Sequence, residues 1–215
     1  MVNLQQMQES IFIEEVGAKN VIFTFQSFEK KYHYPRILTK SDLKKYSADV
    51  GFIGVWEKER FESLLFLAKK GIKVKVFGLG KWKKYINTNN NLNIISSGLF
   101  SEEYCKALQA FKISICFLRK LNNDLHTSRS MEIPACGGFM IAERNDEHKK
   151  LFEENREAIY FSDNNELFEK CNYFLHNEVE RDKIRKNGYN RCINSNYSNF
   201  ETLKHLINKI LKNTI

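Results

Sequence analysis

Hydrophobic positions along the 215-residue chain follow two spacings. Short apolar runs rich in β-branched and aromatic residues alternate with longer stretches where apolar residues recur every three or four positions. The first kind packs as a strand and the second as a helix, and their alternation marks a parallel sheet with helices on its faces. A first strand is expected over Asp49–Val55, then a helix from about Lys58 to Lys70 in which Phe61, Leu64, Leu65 and Ala68 share one face. Gly71 supplies its left-handed stop. Ile72–Phe77 reads as a second strand with Ile72, Val74 and Val76 on one side and Lys73 and Lys75 on the other, which suggests one face or an edge near solvent. Leu92–Ile95 is a third strand, leading through Ser96–Gly98 to a helix from about Ser101. Glu102 and Glu103 lie in the first turn of that helix, where its dipole favours acids.

Ile113–Leu118 is short and apolar enough for a buried strand. After the loop Asn122–Thr127 and a short helical segment, Gly137 and Gly138 punctuate the chain, and Phe139–Ala142 and Ala158–Phe161 read as the last strands. Asp163 with Glu166, and Asn177 with Glu180, have the spacing of capping boxes. Leu167, Phe168, Cys171, Phe174 and Leu175 give the first of these helices an apolar stripe. A final helix from about Ser198 to Lys212 places Phe200, Leu203, Ile207 and Ile210 on one face. The fold class is therefore α/β, a Rossmann-like parallel sheet flanked by helices over residues 48–189. Residues 1–47 form an N-terminal extension that does not read as a domain of its own, and residues 190–215 a C-terminal helical extension.

At this length one core is expected, and 42% hydrophobic against 28% charged residues excludes a disordered chain. Met1–Ser10 lacks the basic start and apolar run of a leader, and the longest apolar run, Leu64–Ala68, is far below a membrane span, so a cytoplasmic location is expected. Cys105, Cys116, Cys136, Cys171 and Cys192 are odd in number and never spaced as CxxC, so they read as buried thiols, with neither a disulfide framework nor a zinc site. Most of the net charge of +8 gathers after residue 180. There Arg181, Lys183, Arg185, Lys186, Arg191, Lys204, Lys209 and Lys212 face only Asp182 and Glu201. A solvated helix face explains this, with contact to a membrane surface or nucleic acid as the alternative.

Two segments carry candidate chemistry. The turn Gly54–Arg60 lies between the first strand and its helix, where unpaired helix amides and the crevice beyond the strand ends gather phosphates. Gly54 lets the backbone come close, and Lys58 or Arg60 can neutralise a diphosphate. The second segment, Asn123–Ala142, holds Asp124 and Glu132 with seven residues between them. The first sits in a loop after a strand and the second near the start of a helix, so the two carboxylates can address one ligand, and carboxylates accept hydrogen bonds from sugar hydroxyls. Arg129 lies between them and suits bidentate contact with phosphate. Pro134 is tolerated if the helix begins just before it. His126 reads as a hydrogen-bonded loop residue, and His33, His148, His176 and His205 have no carboxylate or nucleophile at a persuasive spacing. Trp56 and Trp82 read as packing groups rather than base platforms.

The ordered series Asp49-Val-Gly-Phe-Ile-Gly54, Glu59-Arg60, Arg129, Glu132-Ile-Pro-Ala-Cys-Gly-Gly138, Leu151-Phe-Glu-Glu-Asn155, Ala158-Ile-Tyr-Phe161 and Glu166-Leu167, with a helix ending near Gly188, resembles the C-terminal domain of group 1 glycosyltransferases. The branch containing the spore-maturation CgeB-like proteins is the nearest in pattern. The resemblance covers about two thirds of the chain and implies the C-terminal half of a GT-B fold, whose donor substrate is a nucleotide-diphosphate sugar; no separate cofactor or metal is implied. By that resemblance Glu132 binds the ribose hydroxyls and Asp124 lies near the donor sugar. Lys58, Arg60 or Arg129 holds the diphosphate, with Gly54, Gly137 and Gly138 giving the backbone close approach. Asp124 departs from the family's glutamate by one methylene. The resemblance also implies transfer with retention to an acceptor whose site belongs mostly to a further domain. The C-terminal helix is expected to cross toward such a domain, a protein partner or a second copy, with packing of its apolar face against residues 1–47 as the alternative, while nucleic acid is not the expected partner.

Overall fold

The computed structural model describes residues 11–19, 21, 22 and 24–212, so the reading of Met1–Ser10 lies outside the described residues. Helix α1 (Lys40–Tyr46) leads into β1 (Ala48–Ile53), α2 (Lys58–Lys69), β2 (Val74–Phe77) and a 3-10 turn at Gly80–Tyr85. There follow β3 (Leu92–Ile95), α3 (Ser101–Ala110), β4 (Phe111–Cys116), α4 (Ser128–Ala135), β5 (Met140–Glu143), α5 (Asp146–Leu151) and β6 (Ile159–Phe161). Helices α6 (Asn164–His176), α7 (Glu178–Asn194) and α8 (Asn199–Lys212) close the chain. All six strands are parallel in the order β3-β2-β1-β4-β5-β6. The order reverses between β1 and β4, and in such sheets the crevice beyond the strand ends at that reversal is where ligands bind.

Each face of the sheet is sealed by its own core. On one side Val50, Val76, Ile113 and Ile141 meet Leu64 and Leu67 of α2 and Leu167 of α6. On the other Phe77, Phe111 and Met140 meet Leu108 of α3, Met131 of α4 and Cys192 of α7. All five cysteines are free and buried, as expected of interior thiols. Helix α2 stops as its glycine predicts: Gly71 has φ +93°, its amide donates to Ala68 and that of Ile72 to Leu67.

Several local expectations change. The Ile72–Phe77 strand begins at Val74, and β2 is interior rather than an edge, because β3 pairs beyond it. Lys75 is held there by its ammonium group, which donates to the carbonyls of Lys45 and Ser47 at the α1–β1 junction. The fourth strand starts at Phe111 and ends at Cys116, two residues earlier at each end than the apolar run suggested. Asp163 caps α6 through the amides of Asn165 and Glu166. Asn177 does not cap α7, since its side chain turns back to donate to the Tyr173 carbonyl and Glu180 accepts from the Tyr173 hydroxyl. Pro134 lies in the last turn of α4, not at its start. The helix is short enough that only the Ser130 carbonyl loses a partner to the missing N–H.

Residues 24–36 form a strap over the second face. Phe28 is fully buried and its amide and carbonyl bridge Tyr197 and Asn199. Gln109 of α3 is clamped by both backbone groups of Arg36, and Cys105 donates to the Tyr32 carbonyl. Much of the basic tail is also spent on the body: Arg181 donates to the Phe174 carbonyl, Arg185 to Gly137 and Arg191 to Leu151.

Candidate donor site at the carboxyl ends of the strands

Two guanidinium groups meet where the strand order reverses. Arg129, in the first turn of α4, donates through Nε to the Ile53 carbonyl at the end of β1 (2.6 Å). One of its terminal nitrogens lies 3.5 Å from where a side chain on Gly54 would begin, so the absence of a Cβ there keeps open the space beside the guanidinium. Arg60 enters from α2 and donates to the Val55 carbonyl after β1 and to the Leu118 carbonyl after β4, both at 3.3 Å. It ties the two loops of the crevice together. Arg60 is buried, Glu57 lies 3.5 Å away, and its Nε has no partner among the described residues. Burial pulls its pKa below the usual arginine value, against the attraction of Glu57.

The two other cationic expectations therefore separate from Arg129. Arg60 braces the loops under the crevice. Lys58 stands out in solvent beside Glu62, one turn on in its own helix, with its side chain 72% exposed. An ion pair of that kind on an exposed helix surface contributes little.

Glu132 is the fifth residue of α4, three positions after Arg129 and so on a neighbouring line of the same helix. Its Oε2 accepts from the Tyr104 hydroxyl of α3 (2.5 Å), and its Oε1 lies 3.8 Å from His33 Nε2 of the strap. Burial, with the Glu132 carboxylate beside it, pushes the Tyr104 phenol well above its ordinary pKa, so it stays a donor. One carboxylate oxygen is thereby fixed and the other left for a further donor. Asp124 is half-buried in the loop before α4, and among the described residues its carboxylate takes no hydrogen bond. Among the described residues no hydrogen bond joins it to Glu132.

Gly137 and Gly138 lie at the opposite end of α4 from Arg129. Gly137 has φ +75° and the Gly138 amide donates to the Ile133 carbonyl, which ends the helix in the left-handed manner. A Cβ on Gly138 would sit 2.8 Å from the Leu108 carbonyl. Here they end the helix and let it pack closely against α3.

Sequence reasoning missed the groups that hold the front of α4. The Thr127 amide donates to Ser130 Oγ, and that hydroxyl faces His148 Nε2 at 2.8 Å while His148 Nδ1 donates to the Glu143 carbonyl at 2.7 Å. The imidazole is fully buried, stacked on Tyr160, and burial lowers its pKa to about 4. It is neutral, with its proton on Nδ1. From the strap, Gln26 donates its amide to His126 Nε2 and accepts from the Ser128 amide through its side chain. His126 is thus a hydrogen-bonded loop residue, though its Nδ1 is buried without a partner among the described residues. Glu143, at the end of β5, accepts from the Leu118 amide, and burial raises its pKa. Together with Arg60, Lys120 and Phe117 it lines a cavity of about 260 Å³ beyond β4. The only signal for it in the sequence is an acid at the carboxyl end of an apolar strand. Trp82 is a packing group, fully buried with its indole N–H on the Gly54 carbonyl, whereas Trp56 stacks on Tyr85 at the rim.

Among the described residues no group of acids, histidines and cysteines is arranged to hold a metal ion, and no helix is long and apolar enough to cross a membrane. A family model described as glycosyl transferase-like matches residues 59–208. No curated protein matches the chain by sequence. Among solved structures, the C-terminal domain of a glycosyl transferase group 1 family protein from Francisella tularensis superposes with a TM-score of 0.62 at 15% identity, over 80% of this chain and 98% of that one. A glycosyltransferase from Rickettsia africae gives 0.70 at 15% identity, over 96% of this chain and 62% of its own. HepE from Anabaena, solved in complex with UDP-glucose, gives 0.63 at 13% identity, over 88% and 57%. The chain thus spans a whole C-terminal domain of this kind but less than two thirds of the longer proteins. The fold they share is the C-terminal, Rossmann-like half of GT-B.

Proposed function

The chain belongs to the glycosyl transferase-like family, and on that premise we propose that it binds a nucleotide-diphosphate sugar at the carboxyl ends of β1 and β4. The observation that carries the proposal is the convergence of Arg129 on the Ile53 carbonyl beside Gly54, with Glu132 on the same short helix. A guanidinium anchored through Nε keeps an edge for a diphosphate, and an acid with one oxygen fixed by Tyr104 keeps the other for vicinal ribose hydroxyls. Asp124 is assigned to the donor sugar and transfer with retention to the reaction. UDP-glucose, found with HepE, is the first donor to try. The acceptor wall is assigned to a second domain or partner chain, so donor binding by this chain alone exceeds its sugar transfer.

The test is a thermal-shift screen of UDP, GDP and their sugars, followed by calorimetry. A nucleotide at about 100 times its Kd raises stability by about 2.7 kcal/mol. Arg129→Ala is expected to weaken UDP but not uridine, and Glu132→Gln, which retains an acceptor for Tyr104, to weaken both. Each loss should be about 1.5 to 3 kcal/mol, as for a hydrogen bond to a charged group. Lys58→Ala should bind as the parent does. A chain that melts unchanged with every nucleotide, or variants that all keep parental affinity, would sink the assignment.

A further inference from the structure

The strap brings one titratable side chain to the neighbourhood of Glu132. The backbone amide of His33 donates to the Glu29 carbonyl at 2.8 Å, and its Nδ1 accepts from the Glu29 amide at 3.0 Å. A ring nitrogen that accepts from a backbone amide carries no hydrogen, so the imidazole proton is on Nε2. That N–H donor stands 3.8 Å from Glu132 Oε1, too far for a direct hydrogen bond. The ring also packs edge-on against Tyr104, with centroids 6.1 Å apart, and Tyr104 in turn occupies Glu132 Oε2. Imidazole, phenol and carboxylate therefore form one unit. The strap is pinned on either side of His33, by the fully buried Phe28 and by the clamp of Gln109 on Arg36.

We propose that His33 is a donor-binding residue, and that one ribose hydroxyl of the nucleotide bridges its Nε2–H to Glu132 Oε1. The inference rests on the proposed donor site and adds to it a residue that lies before the matched stretch 59–208. An oxygen placed between the two groups can lie about 3 Å from each, within hydrogen-bonding range. That oxygen must accept from an N–H and donate to a carboxylate at once, which a hydroxyl does. An ammonium group has no lone pair to offer the His33 N–H. An ionised phosphate has no proton to offer Glu132 and is repelled by it. Ribose is the hydroxyl-bearing part that fits, because it adjoins the diphosphate in a nucleotide as Glu132 adjoins Arg129 on α4. The strap thus completes a pair that reads a sugar hydroxyl, and the chain distinguishes ribonucleotides from deoxyribonucleotides.

Calorimetry of the full chain with UDP, or with GDP if the screen selects it, and with the 2′-deoxy and 3′-deoxy forms of the same nucleotide tests the proposal. The parent should bind one of the deoxy forms at least about tenfold more weakly, because that form leaves Glu132 Oε1 without its donor. His33→Asn keeps an acceptor for the Glu29 amide where Nδ1 stood and removes the donor toward Glu132. It should weaken the ribonucleotide about three- to tenfold and leave that deoxy form nearly unaffected, so the preference narrows. His33→Gln carries an amide N–H toward the Nε2 position and should retain most of the preference, even where loss of the Glu29 bond lowers its melting temperature. A loss shared equally by the ribonucleotide and both deoxy forms would mean that His33 only steadies the strap, and would overturn the proposal. An undiminished preference in His33→Asn overturns it too. If that result comes with weaker binding by Glu132→Gln, the donor site stands and only the role of His33 falls. Absence of binding by every nucleotide removes both.

Discussion

Lowering the pH from about 7 to about 4 is expected to remove about 3 kcal/mol of stability through His148 alone. In the unfolded chain this imidazole titrates near 6.5, whereas burial holds it at about 4 in the fold. A depressed folded pKa means that the unfolded state takes up the proton first. The contribution of His148 is therefore intact above 6.5, falls through the window between the two values, and is exhausted below about 4. About 2.5 units at about 1.36 kcal/mol each gives the magnitude. His126, whose pKa burial also lowers, adds in the same direction, and Glu143, raised by burial, opposes it. Comparing parent and His148→Gln by urea denaturation across this range isolates the histidine, since the other groups are common to both. Glutamine costs stability at neutral pH, because the Ser130 and Glu143 partners and the stacking on Tyr160 are disturbed. The variant's stability should then vary less with pH than the parent's. Parallel pH profiles would show that His148 does not titrate as described. The loss also reaches the proposed donor site, because Ser130 and His148 hold the front turn of the helix that carries Arg129 and Glu132.

The strands and their order along the chain were legible because a buried parallel sheet leaves the plainest of patterns, short apolar runs separated by helical spacing. The stop at Gly71 and the cap at Asp163 were legible for the same local reason: a left-handed glycine and an N-cap acid act on residues within three or four positions. What failed was set by tertiary partners. Asn177 has the spacing of a cap, but it follows directly on α6 and its amide finds the Tyr173 carbonyl first. Proline at a helix start is tolerated, and spacing alone favours that position for Pro134, yet the capping pair at Thr127 and Ser130 starts α4 earlier. For the candidate site, the family motif singled out Arg129, Glu132 and Asp124, but not which cation is accessible. Arg60 and Lys58 are alike in sequence, and only the fold shows one buried as a brace and the other in solvent. His148 acts on Ser130, eighteen residues away, and Gln26 on His126, a hundred residues away. No spacing rule reaches that far.

Gly78→Ala is expected to cost about 3 kcal/mol or more and to damage donor binding in whatever folded protein remains. Gly78 follows β2, and a Cβ built on it would lie 2.2 Å from the Gly54 carbonyl oxygen and 2.5 Å from the Trp82 ring. The methyl group falls across the bond by which the Trp82 indole N–H, fully buried, donates to that carbonyl at 2.8 Å. Overpacking of this kind typically costs about 1 to 3 kcal/mol. Separating the indole from its acceptor adds about 1 to 3 kcal/mol for an unsatisfied buried donor. The backbone can relieve the clash only by moving the Gly54 turn, which is also the turn beside Arg129, so UDP affinity should fall together with stability. Gly98→Ala is the matched control. Its Cβ would meet the ring of Phe100 at 2.8 Å, but Phe100 is 72% exposed and free to swing away, so the change should cost less than about 1 kcal/mol. Urea denaturation of both variants, with UDP calorimetry on each, provides the comparison. If Gly78→Ala proves no more disruptive than Gly98→Ala, then the contact of Gly54, Gly78 and Trp82 does not shape the rim of the crevice.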